Sequence, residues 1–353
     1  MLPVLALLIG SSLTPAAPPD GEAQRPKPTI AVNPIEQWIE VKVLVLNFDP
    51  LIADEGGKRL HEVCEWNDPR ELAKSYISDV LNGSGGFIRY KIVEWRDVNA
   101  YPVKADGFVY TEESYLACWR AGKGWHDPDG LDYPKMIEDY DVGRLRSNGE
   151  IDELWLFGAP YFGYWEAAMA GPGAFYINGG VYEDVQTSRA FAIMGFNYER
   201  GVAEMLHDLS HRTEATMSRI YGGWEADKLV HNWARFAANY EQSNGEAAVG
   251  SCHYPPNAES GYDYANERDV LSSAKDWLNY PNLTGFKTKV SRETWGGPDY
   301  HRNYMVWWFR HLPSAVGWNS DRRLNNWWRY VFDFNAYDER GREKRGPART
   351  GSL

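Results

Sequence analysis

The ten residues Ile39-Glu40-Val41-Lys42-Val43-Leu44-Val45-Leu46-Asn47-Phe48 alternate apolar with polar side chains and then become continuously apolar. That is the pattern of a β-strand entering a hydrophobic core, and the rest of the chain is read outward from it. Asp68-Pro69-Arg70-Glu71-Leu72-Ala73 sets Asp at an N-cap and Pro in the first turn, and helical spacing runs on to Val80-Leu81. After the turn cluster Asn82-Gly83-Ser84-Gly85-Gly86, Phe87 to Trp95 alternates as a second strand, Ile151 to Gly158 reads as a third, and Arg189 to Phe196 as a further one. This order predicts an α/β or α+β fold with an N-terminal mixed sheet covered by helices. Helical spacing over Ala226–Tyr240, Glu267–Trp277 and Tyr304–His311 predicts a mostly helical C-terminal half.

Length and composition bound the rest. With 353 residues the chain can bury a full core. No linker forces a second domain, so one domain is expected over 36–337. The apolar run Leu2–Ile9 followed by Thr14-Pro15-Ala16-Ala17 reads as a signal peptide over 1–17, although no Lys or Arg precedes it. A secreted or periplasmic protein is the expectation. The Pro-rich stretch 18–35 reads as a flexible lead-in, and 338–353 as a disordered basic tail. No apolar run reaches the roughly 20 residues of a transmembrane segment. A formal charge of −12 disfavours a nucleic-acid partner. Cys64, Cys118 and Cys252 allow one disulfide and one free thiol, without fixing the pair.

The chain holds 16 tryptophans, and the doublets Trp307-Trp308 and Trp327-Trp328 fall in apolar helical runs where at least one member belongs in the core. Between Gly158 and Gly180 the sequence is rich in glycine and aromatics. Tyr161, Tyr164, Trp165 and Glu166 there form the candidate wall of a substrate cleft.

Chemistry concentrates in Ala203–Met217, AEMLHDLSHRTEATM. At about 100° per residue, Glu204, His207, His211 and Glu214 share one helical stripe with Arg200, while Val202, Met205, Leu206, Leu209, Thr216, Met217 and Ile220 lie opposite. A surface helix shows the same division. Two imidazoles at i and i+4, however, can also direct their nitrogens to one point, as zinc requires.

His207-Asp208-Leu209-Ser210-His211 resembles the HExxH signature of zincin metallopeptidases, with Asp in the place of Glu, on a helix that follows a strand. The resemblance implies a zinc ion held by His207 and His211, with Asp208 accepting a proton from the attacking water; Glu204, on the same stripe, is the other candidate base. Asp is shorter than Glu by one methylene, about 1.5 Å of reach. The longer metzincin pattern is absent, because Met217 stands six residues after His211. A gluzincin-like arrangement needs a third ligand from further on; Glu225 and His231 are the candidates, with Glu214 as ligand or support.

Alternatives remain open. His253 either lines a cleft or sits in an exposed loop, and Cys252-His253 are chain neighbours unsuited to act as a nucleophilic pair. Phosphate-binding loops and a GxSxG elbow are absent. Glycosidase carboxylates carry no local signature, and Glu166 in its aromatic loop is the best single suspect. The expectation is a zinc-dependent hydrolase acting on a peptide substrate. It competes with a polysaccharide-binding or polysaccharide-cleaving protein, and with a non-catalytic zincin-like binder.

Overall fold

The computed structural model describes residues 38–224 and 228–344. The proposed signal peptide and lead-in, Glu225, and 345–353 lie outside the described residues. Strand β1 (Ile39–Phe48) sits inside a sheet, as its apolar run requires, with Val43 to Leu46 fully buried. After helix α1 (Pro69–Gly83), β2 (Ile88–Val98) pairs parallel with one edge of β1. The other edge of β1 takes β3 (Glu153–Gly158), also parallel, so that Val45 faces Trp95 on one side and Trp155 on the other.

Next come β4 (Ala167–Ala170), β5 (Val181–Tyr182) and β6 (Phe191–Asn197), and β6 runs parallel beside β3. Strand β4 runs antiparallel to β6, and β5 is parallel to β4. The six-stranded order is therefore β2-β1-β3-β6-β4-β5, mostly parallel with a reversed edge. This is an α/β protein.

Helix α2 (Val202–Tyr221) leaves the end of β6, and helix α3 (Tyr300–His311) packs against both α1 and α2. Gly83 lets α1 approach α3 closely, since a Cβ there would stand 2.9 Å from Phe309 Cβ. The roll of α2 is set by Arg212. Its guanidinium, fully buried, lies 2.6 Å from Glu153 Oε2 on β3 and donates to the Val331 carbonyl at 3.0 Å. Tyr90 and Trp155 donate to the other oxygen of Glu153. Both Glu153 oxygens and two of the three guanidinium nitrogens are partnered, Arg212 Nε being the exception, and such pairing is the condition for tolerating a buried ion pair. Trp308, Trp327 and Trp328 are core residues, as the apolar context of the doublets requires.

Several expectations for the C-terminal half are corrected. Of the helix read over 226–240, the described residues from 228 onward are helical only over Asn232–Phe236. The Phe236 carbonyl accepts from Val249 and Gly250, the Ala238 carbonyl from Ala248, and Asn239 Oδ1 accepts from the Glu241 and Gln242 amides, so tertiary and turn bonds displace the helical ladder. Within 267–277, Val270–Ser272 pairs antiparallel with Thr288–Val290, and only Ala274–Trp277 is helical. A second small sheet joins Ser314–Trp318 to Leu324–Asn326.

The stretch 338–344 is held to the fold. Asp338 accepts from Arg340 and Arg342, and Tyr330 donates to the Gly341 carbonyl. All three cysteines are free thiols, so the disulfide that the count allowed does not form. Among the described residues no helix is long and apolar enough to cross a membrane.

Candidate metal centre

Helix α2 is buried on both sides. Its apolar stripe faces the core as read, but His207, Asp208, Ser210, Arg212 and Glu214 are buried too. The middle of the polar stripe, from His207 to Glu214, faces other chain segments, while Arg200 and Glu204 remain accessible to solvent. Within it, His207 and His211 stand with ring centroids 4.6 Å apart, as spacing by one helical turn provides.

Cys252 and His253 meet them from a distant loop. One ligand atom from each of His207, His211, Cys252 and His253 lies within 4.8 Å of all the others. Zinc bonds of about 2.0–2.3 Å in a tetrahedron put neighbouring donors about 3.3–3.8 Å apart, so small side-chain rotations close the group. Three imidazoles and one thiol are donors suited to zinc.

The loop is built as firmly as the helix, by other means. Gly250 has φ +84°, and a Cβ on it would fall 2.3 Å from the Tyr254 carbonyl oxygen, so only glycine fits. Tyr304 on α3 brings its hydroxyl 3.1 Å from the Val249 carbonyl and 2.8 Å from that of Ser251, while Trp308 Nε1 donates to Gly250 at 3.0 Å. Glu214 ties the loop to α2, accepting from the Cys252 amide at 2.7 Å and from its thiol at 3.1 Å. The same carboxylate lies 3.7 Å from His211 Nδ1. Tyr264 donates to the Cys252 carbonyl at 2.7 Å and lies 3.3 Å from His207 Nδ1.

A cavity of about 450 Å³ opens beside the cluster. His207, Asp208, Glu204, Glu166, Tyr161, Tyr164, Tyr262, Tyr264 and His301 contribute to its wall. Trp165, expected to line the cleft, is exposed outside it, with Gly179 packed against its ring. Glu166 reaches the cluster itself, 3.7 Å from His211 Nε2, and is bonded to Asn178. His301, at the start of α3, stacks on Tyr264 and lies 3.3 Å from His207 Nδ1.

Burial and three neighbouring imidazoles push His207 down to about 2, so it is neutral and able to donate a lone pair at any ordinary pH. Burial likewise lowers His253, with His211 adding to the effect. For His211 burial works downward too, but the hydrogen bond and charge of Glu214 prevail, with Glu166 adding to them, and its pKa is raised. Asp208 is pushed well up, by burial first and then by Glu166 and Glu204. Among the described residues its carboxyl has no hydrogen bond or ion pair. Burial, then the Glu214 carboxylate, also raises the Cys252 thiol.

His231, the candidate third ligand, is elsewhere. Its Nδ1 accepts from the Ala234 amide and caps the short helix that follows. His253, not His231, joins the His207 and His211 cluster, so the exposed-loop reading of His253 is corrected. Its own partner is Tyr262, whose hydroxyl lies 3.0 Å from His253 Nε2. His301, Tyr262 and Tyr264 carried no signal in the sequence, since loop and helix-end residues bear no spacing relation to 207 and 211.

No protein-family model matches the chain, and no curated protein matches it.

Proposed function

We propose that the protein is a zinc-dependent hydrolase of the zincin type, acting on peptide bonds after export from the cytoplasm. One observation carries this reading: His207 and His211, paired on a helix that follows a sheet strand, cluster with Cys252 and His253, and His207 opens onto a carboxylate-bearing cavity. Zinc bound there supplies a Lewis acid for the scissile carbonyl and brings a water's pKa near neutrality.

The chain's residues do the rest. His207, His211 and His253 hold the ion, and Glu214 orients His211 and the Cys252 loop. Glu166 and Glu204 present carboxylates at the cavity, so a proton has an acceptor within the site, while Asp208 between the two helical ligands is held toward its protonated form. Tyr161, Tyr164 and the segment around them wall the substrate off from solvent on the other side.

A second reading is favoured by Cys252. If its thiol enters the coordination shell, the site is closed by four protein ligands, as in structural zinc sites, and the protein binds without cleaving. The thiol's bond to Glu214 favours the open, three-histidine arrangement. Casein cleavage decides between them. The open site gives hydrolysis that chelation abolishes and zinc restores, and Cys252→Ala keeps both metal and activity. Stoichiometric zinc without cleavage, and loss of zinc in Cys252→Ala, contradict hydrolysis.

A further inference from the structure

Tyr161 is held in a conformation that its side chain disfavours. Its φ is +63°, a left-handed backbone costly for a bulky residue, and such strain persists only where surroundings impose it. Here they do. The Tyr161 carbonyl accepts from Lys104 Nζ at 2.6 Å, and that lysine is fully buried and also bonded to Asp129. The preceding Pro160 carbonyl accepts from Tyr115 at 2.9 Å. Two residues on, Gly163 passes so close to Asp129 that any Cβ would collide with its backbone.

The result is a fixed aromatic platform. The Tyr161 ring stacks on Trp125 at a centroid distance of 3.9 Å and an interplanar angle of 11°. Trp125 therefore covers one face, yet Tyr161 remains 44% exposed and lines the cavity. Among the described residues no second ring stacks on Tyr161, which is part of the cavity wall. Ala159, Pro160, Phe162, Tyr164 and Phe196 give the same cavity an apolar wall, while His207, Glu204 and Asp208 line it from α2. A flat apolar ring can stack on such a face with offset or edge geometry, whereas a branched aliphatic chain gains only area.

We propose that Tyr161, backed by Trp125, is the specificity-determining residue of a subsite for an aromatic side chain of the substrate. This deepens the hydrolase reading and rests on it. The test uses the zinc-loaded full chain and N-acyl amino-acid hydroxamates of phenylalanine, leucine and alanine, whose hydroxamate seeks the metal while the side chain probes the wall. The wild type binds the phenylalanine compound about 3- to 10-fold more tightly than the leucine one, the range that ring-on-ring contact supplies. Tyr161→Phe keeps that ratio, and Tyr161→Ala brings it close to one at unchanged zinc content.

Equal affinity for phenylalanine and leucine hydroxamates, or a ratio that survives Tyr161→Ala, overturns the subsite and leaves the hydrolase reading standing. Should no zinc be held, that reading fails by itself. N-acyl phenylalanine and leucine amides, compared by saturation-transfer NMR on the metal-free chain, then judge the subsite: preferential saturation of the phenylalanine ring that Tyr161→Ala removes supports it, and equal saturation overturns it.

Discussion

Helix α2 and the loop 250–256 each bring two of the four clustered side chains, and they hold them by different physics. In α2 the regular backbone places His207 and His211 one turn apart, and the buried Arg212–Glu153 pair fixes the roll. In the loop no repeating bond pattern exists. Cys252 and His253 are positioned by a glycine with a positive φ, by Tyr304 and Trp308 from α3, and by Glu214 from α2. A helix thus makes its half of the site from local bonds, while the loop borrows rigidity from side chains of two other elements. The loop half should be the easier one to disturb without unfolding the protein.

Substitutions sharpen this contrast in descending order of effect. Removing an imidazole, by His207→Ala, His211→Ala or His253→Ala, should each lower zinc affinity by more than about 100-fold, beyond what loss of a supporting residue costs. Competition with a chromophoric chelator measures it. If His253→Ala alone leaves affinity intact, the loop half is not part of the site. Gly250→Ala comes next. It forces a Cβ onto the Tyr254 carbonyl and strains a left-handed backbone, which should cost about 1–3 kcal/mol in urea unfolding and weaken zinc binding as His253 shifts. Unchanged zinc affinity in a destabilised Gly250→Ala would show that the loop's geometry is irrelevant to the metal.

Tyr304→Phe is a gentler cut. It removes only the hydroxyl facing the Val249 and Ser251 carbonyls, for an expected loss of about 1–2 kcal/mol. Zinc affinity should fall less than in Gly250→Ala, because Trp308 and Glu214 still hold the loop.

The smallest effect lies outside both regions and serves as a control. His61 is raised above its ordinary value by its hydrogen bond to Asp49, 2.6 Å away, against the pull of burial. A raised histidine stabilises the fold below its unfolded pKa and loses that contribution as pH rises through its folded one. The stability difference between wild type and His61→Gln should therefore shrink from pH 5.5 to pH 8, with zinc affinity at a fixed pH the same in both. A difference that grows with pH contradicts the assignment.

The same contrast explains what could be read beforehand. Strands such as Ile39–Phe48 and Arg189–Phe196 announce themselves because burial demands apolar runs, and α2 does so because its spacing is periodic. His207, His211 and the supporting Glu214 are legible for that reason. That His253 and His301 join them is not legible, because both are brought to α2 by chain reversals between residues 221 and 301 that have no period. Ala226–Tyr240 misled for a related cause: its carbonyls are taken by residues 248–250, and local helical spacing cannot register that competition. Tyr161 was legible as a cleft residue from its glycine-rich surroundings, whereas the buried Lys104 that holds it, 57 residues away in the chain, was not.

The central claim is that three histidines from both halves hold one zinc with a coordination position left open. X-ray absorption at the zinc edge, on protein loaded with one equivalent of zinc, tests it most directly. The account predicts a first shell of nitrogen and oxygen near 2.0–2.1 Å, with three imidazole scattering patterns and no sulfur, which reduces to two imidazoles in His253→Ala. A sulfur at about 2.3 Å completing a four-ligand shell, or an imidazole count that His253→Ala does not change, would contradict it.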